Sequence, residues 1–166
     1  MTIAPPLIHS HGDGYRLVYE AVYATDIDDL WAAVTEPDRL ARWMADYSGD
    51  LRLGGRWEVA DADGKGVWCR GTVTSCDAPR GFTTVWHADD EEPTELVVRL
   101  AAVAGGTRLT LEHTGIRPIF YGAGWHTYLE ALETHLARPH ATRDEDAWHQ
   151  RYRALSPGYE ARFAAL

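Results

Sequence analysis

The chain has 166 residues, enough for one domain that buries roughly 70% of the surface its unfolded form would expose, so neither a disulfide nor a metal is needed to hold it. Its formal net charge is −9 and no basic block interrupts the sequence, which argues against nucleic acid and against anionic lipid surfaces as partners. No run approaches the roughly 18 apolar residues of a membrane helix, and no basic stretch followed by an apolar one marks a leader at the N-terminus.

Residues 1–14 carry Pro, Gly and polar residues without a period and are expected to form a loose lead-in. Residues 15–23, YRLVYEAVY, read as a strand rich in aromatic and branched side chains. Asp26 or Thr25 then caps a helix to about Thr35, with Ile27, Leu30, Trp31 and Val34 as its buried stripe. Pro37 ends that helix and starts a short second one through Leu40 and Trp43. Residues 50–60 are predicted as one strand with Gly54-Gly55 inside it, where the sheet must bend or let another backbone approach. Trp57 and Val59 share one face of that strand. Strands follow at 67–76, 82–87, 94–103 and 107–113, separated by turn-forming segments or, after 87, by an acidic loop.

A long helix is predicted over 122–138. Trp125, Tyr128, Leu129, Leu132 and Leu136 form its stripe, and Pro139 stops it. The tail, 139–166, has a further helical stripe of Trp148, Tyr152, Leu155, Tyr159 and Phe163. Ser156-Pro157 is expected to split it into two short helices, with Ser156 capping the second. A stripe this aromatic packs on its own domain, closes a pocket, or forms a homodimer. The reading is α+β: an antiparallel meander whose apolar face needs one cover, with the long helix as the only element that fits.

Cys69 and Cys76 lie on one predicted strand and face opposite sides, so they should not pair within it. Free thiols without an export signal point to a reducing cytoplasm. Seven tryptophans and eight tyrosines stand against three phenylalanines. Rings with polar tips are therefore favoured, which suits a partly polar cavity.

Five segments carry a family resemblance: 24–44 (ATDIDDLWAAVTEPDRLARWM), 50–59 (DLRLGGRWEV), 71–87 (GTVTSCDAPRGFTTVWH), 95–115 (ELVVRLAAVAGGTRLTLEHTG) and 122–136 (GAGWHTYLEALETHL). In order and spacing they resemble the SRPBCC, or START-like, superfamily with the birch-pollen-allergen helix-grip fold. The nearest group is that of the activator homologues of heat-shock protein 90 ATPase. The resemblance implies a curved sheet wrapped around a long helix, with a cavity between them, over 15–138. Members bind or transform many ligands or serve as co-chaperone and transport modules, so fold alone does not assign a function. The family's Ala-Pro before the first helix is replaced here by Ala24-Thr25-Asp26, and the tail beyond Arg138 exceeds the minimal domain.

With that cavity in mind, the expected lining is Trp57, Trp86, Leu111, His113, Trp125, Tyr128 and Leu129, with Trp43 and Tyr47 near the mouth. Which face of 82–87 points inward stays open, because a one-residue slip reverses it. His113 continues the apolar face of Leu109 and Leu111. It reads either as a ligand-orienting acid or base or as a core histidine bonded to a neighbouring hydroxyl or carbonyl. Glu58, Arg70, Arg99 and Glu112 are expected on the outer face as cross-strand pairs. His9 and His11 are the only tight histidine pair, and no HExxH or Cys–Cys–His spacing occurs, so neither a metal nor a cofactor is expected. There is no G-x-S-x-G elbow and no phosphate-binding glycine loop, and no residue is assigned to catalysis. The leading expectation is binding of an apolar or aromatic small molecule, lipid-like or polyketide-like. The alternatives are a cyclase- or hydrolase-type enzyme in the same cavity and a protein-interaction module with a chaperone partner.

Overall fold

The computed structural model describes all 166 residues apart from the side chain of Thr2. Strand β3 (Gly14–Tyr23) is the hub of one end of the sheet. The loose lead-in expected over 1–14 is instead two strands, β1 (Thr2–Ile3) and β2 (Leu7–His11), both paired antiparallel with β3. The missed signal is Gly12-Asp13, a two-residue hairpin loop in which Gly12 takes φ +59°.

Helices α1 (Ile27–Thr35) and α2 (Pro37–Leu40) follow. The Asp26 carboxylate caps α1 by accepting from the Asp29 backbone N–H at 2.8 Å. The strand expected over 50–60 is shorter. β5 spans only Arg56–Ala60 and pairs with a three-residue strand, β4 (Tyr47–Gly49). Gly54-Gly55 lies in the loop between them rather than inside a strand. There the Asp50 carboxylate accepts from the Arg52 backbone N–H at 3.0 Å, and Gly54 takes φ +75°. An aspartate that turns the chain on itself, followed by a glycine free to adopt positive φ, makes a loop at this point.

The meander continues through β6 (Val67–Asp77), β7 (Gly81–Ala88), β8 (Thr94–Val103) and β9 (Gly106–Ile116), which returns to pair with β3. The nine-stranded sheet has the order β1-β3-β9-β8-β7-β6-β5-β4, with β2 beside β1 on the edge of β3. In β7 the buried set is Phe82, Thr84 and Trp86, which settles the inward face. On the outer face the Glu112 carboxylate pairs with Arg16 at 2.7 Å and with Arg99 at 3.6 Å, as the alternation predicts.

Helix α3 (Phe120–Ala137) begins two residues earlier than the stripe suggests and packs on the inner face of the sheet. Two buried tyrosines of β3 pin it. The Tyr19 hydroxyl donates to the Gly122 carbonyl at 2.5 Å and the Tyr23 hydroxyl to the Leu129 carbonyl at 2.8 Å.

The tail forms one helix, α4 (Glu145–Ala164), not two. Asp144 caps it, accepting from the Ala147 N–H at 2.9 Å, and Pro157 lies in its interior. Ser156 does not cap; its hydroxyl donates to the Tyr152 carbonyl at 2.8 Å. Packing outweighs the proline, because Tyr152 and Leu155 on one side of it and Tyr159 and Phe163 on the other all meet the core. Gly122 makes the close approach possible: a Cβ there would lie 2.6 Å from Tyr159 Cδ1 and 2.9 Å from Phe163 Cε2. Among the described residues no helix is long and apolar enough to cross a membrane.

Candidate functional site

Between the sheet and α3 lies an aromatic cluster centred on Trp86. Its ring sits 5.4–5.8 Å from those of Trp57, Trp68, His113 and Trp125. Trp57 reaches this position because its neighbour across the ladder is Gly71. A side chain there would run into the indole, 2.6 Å from Cε2.

Each of the four buried indoles has a partner for its N–H. Trp43 donates to the Ala33 carbonyl at 2.9 Å, Trp57 to the Thr84 hydroxyl at 2.8 Å, Trp86 to the Tyr121 hydroxyl at 3.0 Å, and Trp125 to His113 Nδ1 at 3.0 Å. The last contact fixes the histidine's tautomer. With Nδ1 accepting, the ring proton is on Nε2, which donates to Thr94 Oγ1 at 2.7 Å. That hydroxyl donates in turn to the Trp86 carbonyl at 3.1 Å. Every polar atom of His113 is satisfied, and burial pushes its pKa down to about 3. The ring is neutral at pH 7, so proton transfer near neutrality is outside its range. Tyr121 donates to the Glu91 carboxylate at 3.0 Å. Burial, first, raises the pKa of that acid, and the tyrosine's hydrogen bond partly offsets it.

A void of about 50 Å³ remains between the sheet and the helix, against roughly 300–1000 Å³ for ordinary small-molecule sites. Trp43, Tyr47, Trp57, Trp86, Leu111, Trp125, Tyr128 and Leu129, eight of the nine residues expected from sequence, line it. His113 does not; it supports the wall from behind, through Trp125. No carboxylate, histidine, lysine or arginine lines the void. The Tyr47 hydroxyl meets only the Met44 sulfur, at 3.6 Å, and burial raises its pKa well above the usual value.

A larger space lies on the other side of Trp43, Met44 and Tyr128, which border both. It is a cleft of about 410 Å³ between α3, the first half of α4 and the segments at 42–46 and 60–62, with Trp68 also in its lining. Sequence reasoning missed it, although Trp148 and Tyr152 are spaced to share a helix face. Their rings stack at 5.3 Å with 9° between planes, and Trp148 also meets Tyr128 at 4.9 Å. Arg143 ties the cleft's rim together, donating to the Ala41 carbonyl at 2.7 Å and to Asp46 Oδ1 at 2.9 Å. Its guanidinium holds the Asp46 carboxyl below the usual carboxylate range.

Two polar atoms on residues that border the cleft are buried and have no partner among the described residues: Trp148 Nε1 and His135 Nδ1. His135 Nε2 accepts from Arg39 Nε at 2.8 Å. Burial and the neighbouring guanidinium groups of Arg39 and Arg42 lower the histidine's pKa, so the ring is neutral and its proton is on Nδ1. Both orphaned atoms are therefore donors, and each unmet buried donor costs about 1–3 kcal/mol.

A sheet gripping a long helix, with an aromatic cluster between them, defines a helix-grip protein of the SRPBCC type. The chain belongs to the family described as Activator of Hsp90 ATPase homolog 1-like protein, whose profile matches residues 24–137. Among solved structures it is similar to CalU16 from Micromonospora echinospora, at 23% identity and TM-score 0.71, over 96% of this chain and 99% of that one. It is also similar to MLL2253 from Mesorhizobium loti, at 24% identity and TM-score 0.66, over 74% and 97%. DynU16, a protein of the dynemicin biosynthetic locus, aligns at 21% identity and TM-score 0.65, over 75% of this chain and 48% of that one. No curated protein matches the sequence. At these identities the likeness is one of fold.

Proposed function

We propose that the protein is a receptor for an apolar or aromatic small molecule, lipid-like or polyketide-like, held between the sheet and α3. The observation that carries this reading is the wall formed by Trp43, Met44 and Tyr128. One side of it faces the apolar void predicted from sequence, and the other faces a cleft of about 410 Å³, within the usual range for a ligand site. Rotation of those side chains would join the two spaces, so the void and the cleft are the inner and outer parts of one site. The likeness to DynU16, from a biosynthetic locus, supports a natural-product ligand. Within the void, binding is favoured over a cyclase or hydrolase because no acid or base lines it and His113 is neutral and fully bonded, the carboxylates and histidines of the site being confined to the cleft.

Tryptophan fluorescence and thermal denaturation against a library of aromatic and lipid-like metabolites test the reading. Saturable quenching with a matching rise in Tm is expected for at least one class. If no compound moves either signal, the receptor reading fails. The small void favours a second reading, a chaperone-linked interaction module that needs no internal space. Retention of heat-shock protein 90 by the immobilised chain, with no ligand response, would establish that reading instead.

A further inference from the structure

The cleft along α4 is neutralised by ion pairs over part of its rim and carries free positive charge at one end. Resting on the receptor reading above, we propose that its ligand is an acid: an apolar or aromatic body lying along α3 and ending in a carboxylate that Arg42 and Arg138 hold. Of the four arginines that border the cleft, Arg143 is bound to Asp46 and Glu145, and Arg151 to Glu130. The Asp144 carboxylate caps α4. Among the described residues no carboxylate pairs with Arg42 or Arg138, and Asp61, just after β5, is the one lining carboxylate with neither a cation nor a capping role. The two free cations sit at the same end of α3. Arg138 closes that helix, and Arg42 Nη1 donates to the His140 carbonyl, two residues further on, at 2.9 Å. This leaves Arg42 most of its five N–H donors. His135, one turn before Arg138, reports the positive field there: after burial, the guanidinium groups of Arg39 and Arg42 hold it neutral. Toward the other end, Tyr128 stands ten residues before Arg138 on the same face of α3, about 15 Å along the axis. The cleft therefore runs from the wall of Trp43, Met44 and Tyr128 to a pair of guanidinium groups. A carboxylate accepts from such groups in short, charge-assisted hydrogen bonds. An amine would meet two like charges. A wholly apolar ligand would strip water from Arg42, already half-buried, and offer nothing to replace it.

Two probes of one shape separate this proposal from the receptor reading: biphenyl-4-carboxylate and the uncharged biphenyl-4-carboxamide. Each is titrated at neutral pH into the full chain, followed by tryptophan fluorescence. The carboxylate is expected to bind about tenfold more tightly, at the low end for hydrogen bonds between charged groups because Arg138 is exposed. In the double variant Arg42→Gln, Arg138→Gln the ratio of affinities should fall to near one through loss of carboxylate binding, with the amide unchanged. Arg56→Gln with Arg108→Gln removes the same charge from exposed positions outside the cleft and should keep the ratio. Equal affinities in the unaltered chain, or a ratio that survives the cleft substitutions, would overturn the acid-binding role and leave the receptor reading standing. If neither probe binds up to its solubility limit, both fall. Should the double variant not fold, Arg138→Gln alone, at an exposed position, identifies the Arg138 Nε–H resonance of the nitrogen-15-labelled chain. The carboxylate should move that resonance and the amide should not; no movement overturns the proposal.

Discussion

The inner cluster and the outer cleft are built from the same side chains to different ends. Around Trp86, four buried indoles each donate to a named acceptor, and His113, Thr94 and the Trp86 carbonyl close a chain of hydrogen bonds. On the cleft side of Trp43 and Tyr128, Trp148 Nε1 and His135 Nδ1 have no partner among the described residues. Buried polar groups that are paired hold one arrangement; unpaired ones add nothing to its definition. The difference teaches that aromatic content alone does not identify a binding site. The satisfied region is scaffold, and the open space of the molecule lies beside it, in the cleft along α4.

The comparison breaks most readily at its centre. Trp86→Ala removes the ring that packs against five others and is expected to cost about 4 kcal/mol, read from urea unfolding; a loss near zero would show that the cluster is not the scaffold. The next effect is in pH. His113 is neutral when folded, with its pKa near 3, while the unfolded chain titrates near 6.5. Between these values the unfolded state binds the extra proton, so stability is full above about pH 6.5 and is lost as pH falls toward 3. Between pH 7 and pH 4 the loss from this group alone is about 3 kcal/mol. His113→Leu, although less stable at pH 7, should give a correspondingly flatter profile, and parallel profiles would count against the assignment.

The outer region is addressed by Gly122→Ala, whose methyl group would press on Tyr159 and Phe163. A cost of about 2 kcal/mol is expected. Faster hydrogen exchange should appear over 145–164 and not in the sheet. The smallest effect is that of Asp144→Ala, about 1 kcal/mol for the lost cap. Exchange should quicken in the first turn of α4, beside Trp148, and unchanged exchange there would show that the cleft's wall does not depend on this cap.

Much of the inner region was legible because its logic is local. Alternation along β5 and β9 put Trp57 and Leu111 on inward faces and helical spacing put Trp125, Tyr128 and Leu129 on one stripe, whereas alternation along β7 left the side of Trp86 open, since a one-residue slip reverses it. His113 was placed on the right face with two readings open, and it is the core histidine bonded to a neighbouring hydroxyl; that hydroxyl, on Thr94, and the Trp125 indole come from other elements, which the sequence does not name. The cleft was not legible for the same reason. Its existence depends on α4 lying along α3, and that rests on the room above Gly122 and on a proline that fails to break a helix. Residues 50–55 were misread because a glycine pair fits a bent strand and a loop equally well, and only the Asp50 turn decides between them.

The two borders of the sheet have a consequence for the chain's life at high concentration. One ends in β4, three residues long, and the other is divided between β1, with two residues, and β2, with five. Borders this short offer a stray strand little backbone to zip against. A sheet of nine strands would be exposed to clumping through its rims, and these truncated margins withhold the template on which such growth begins.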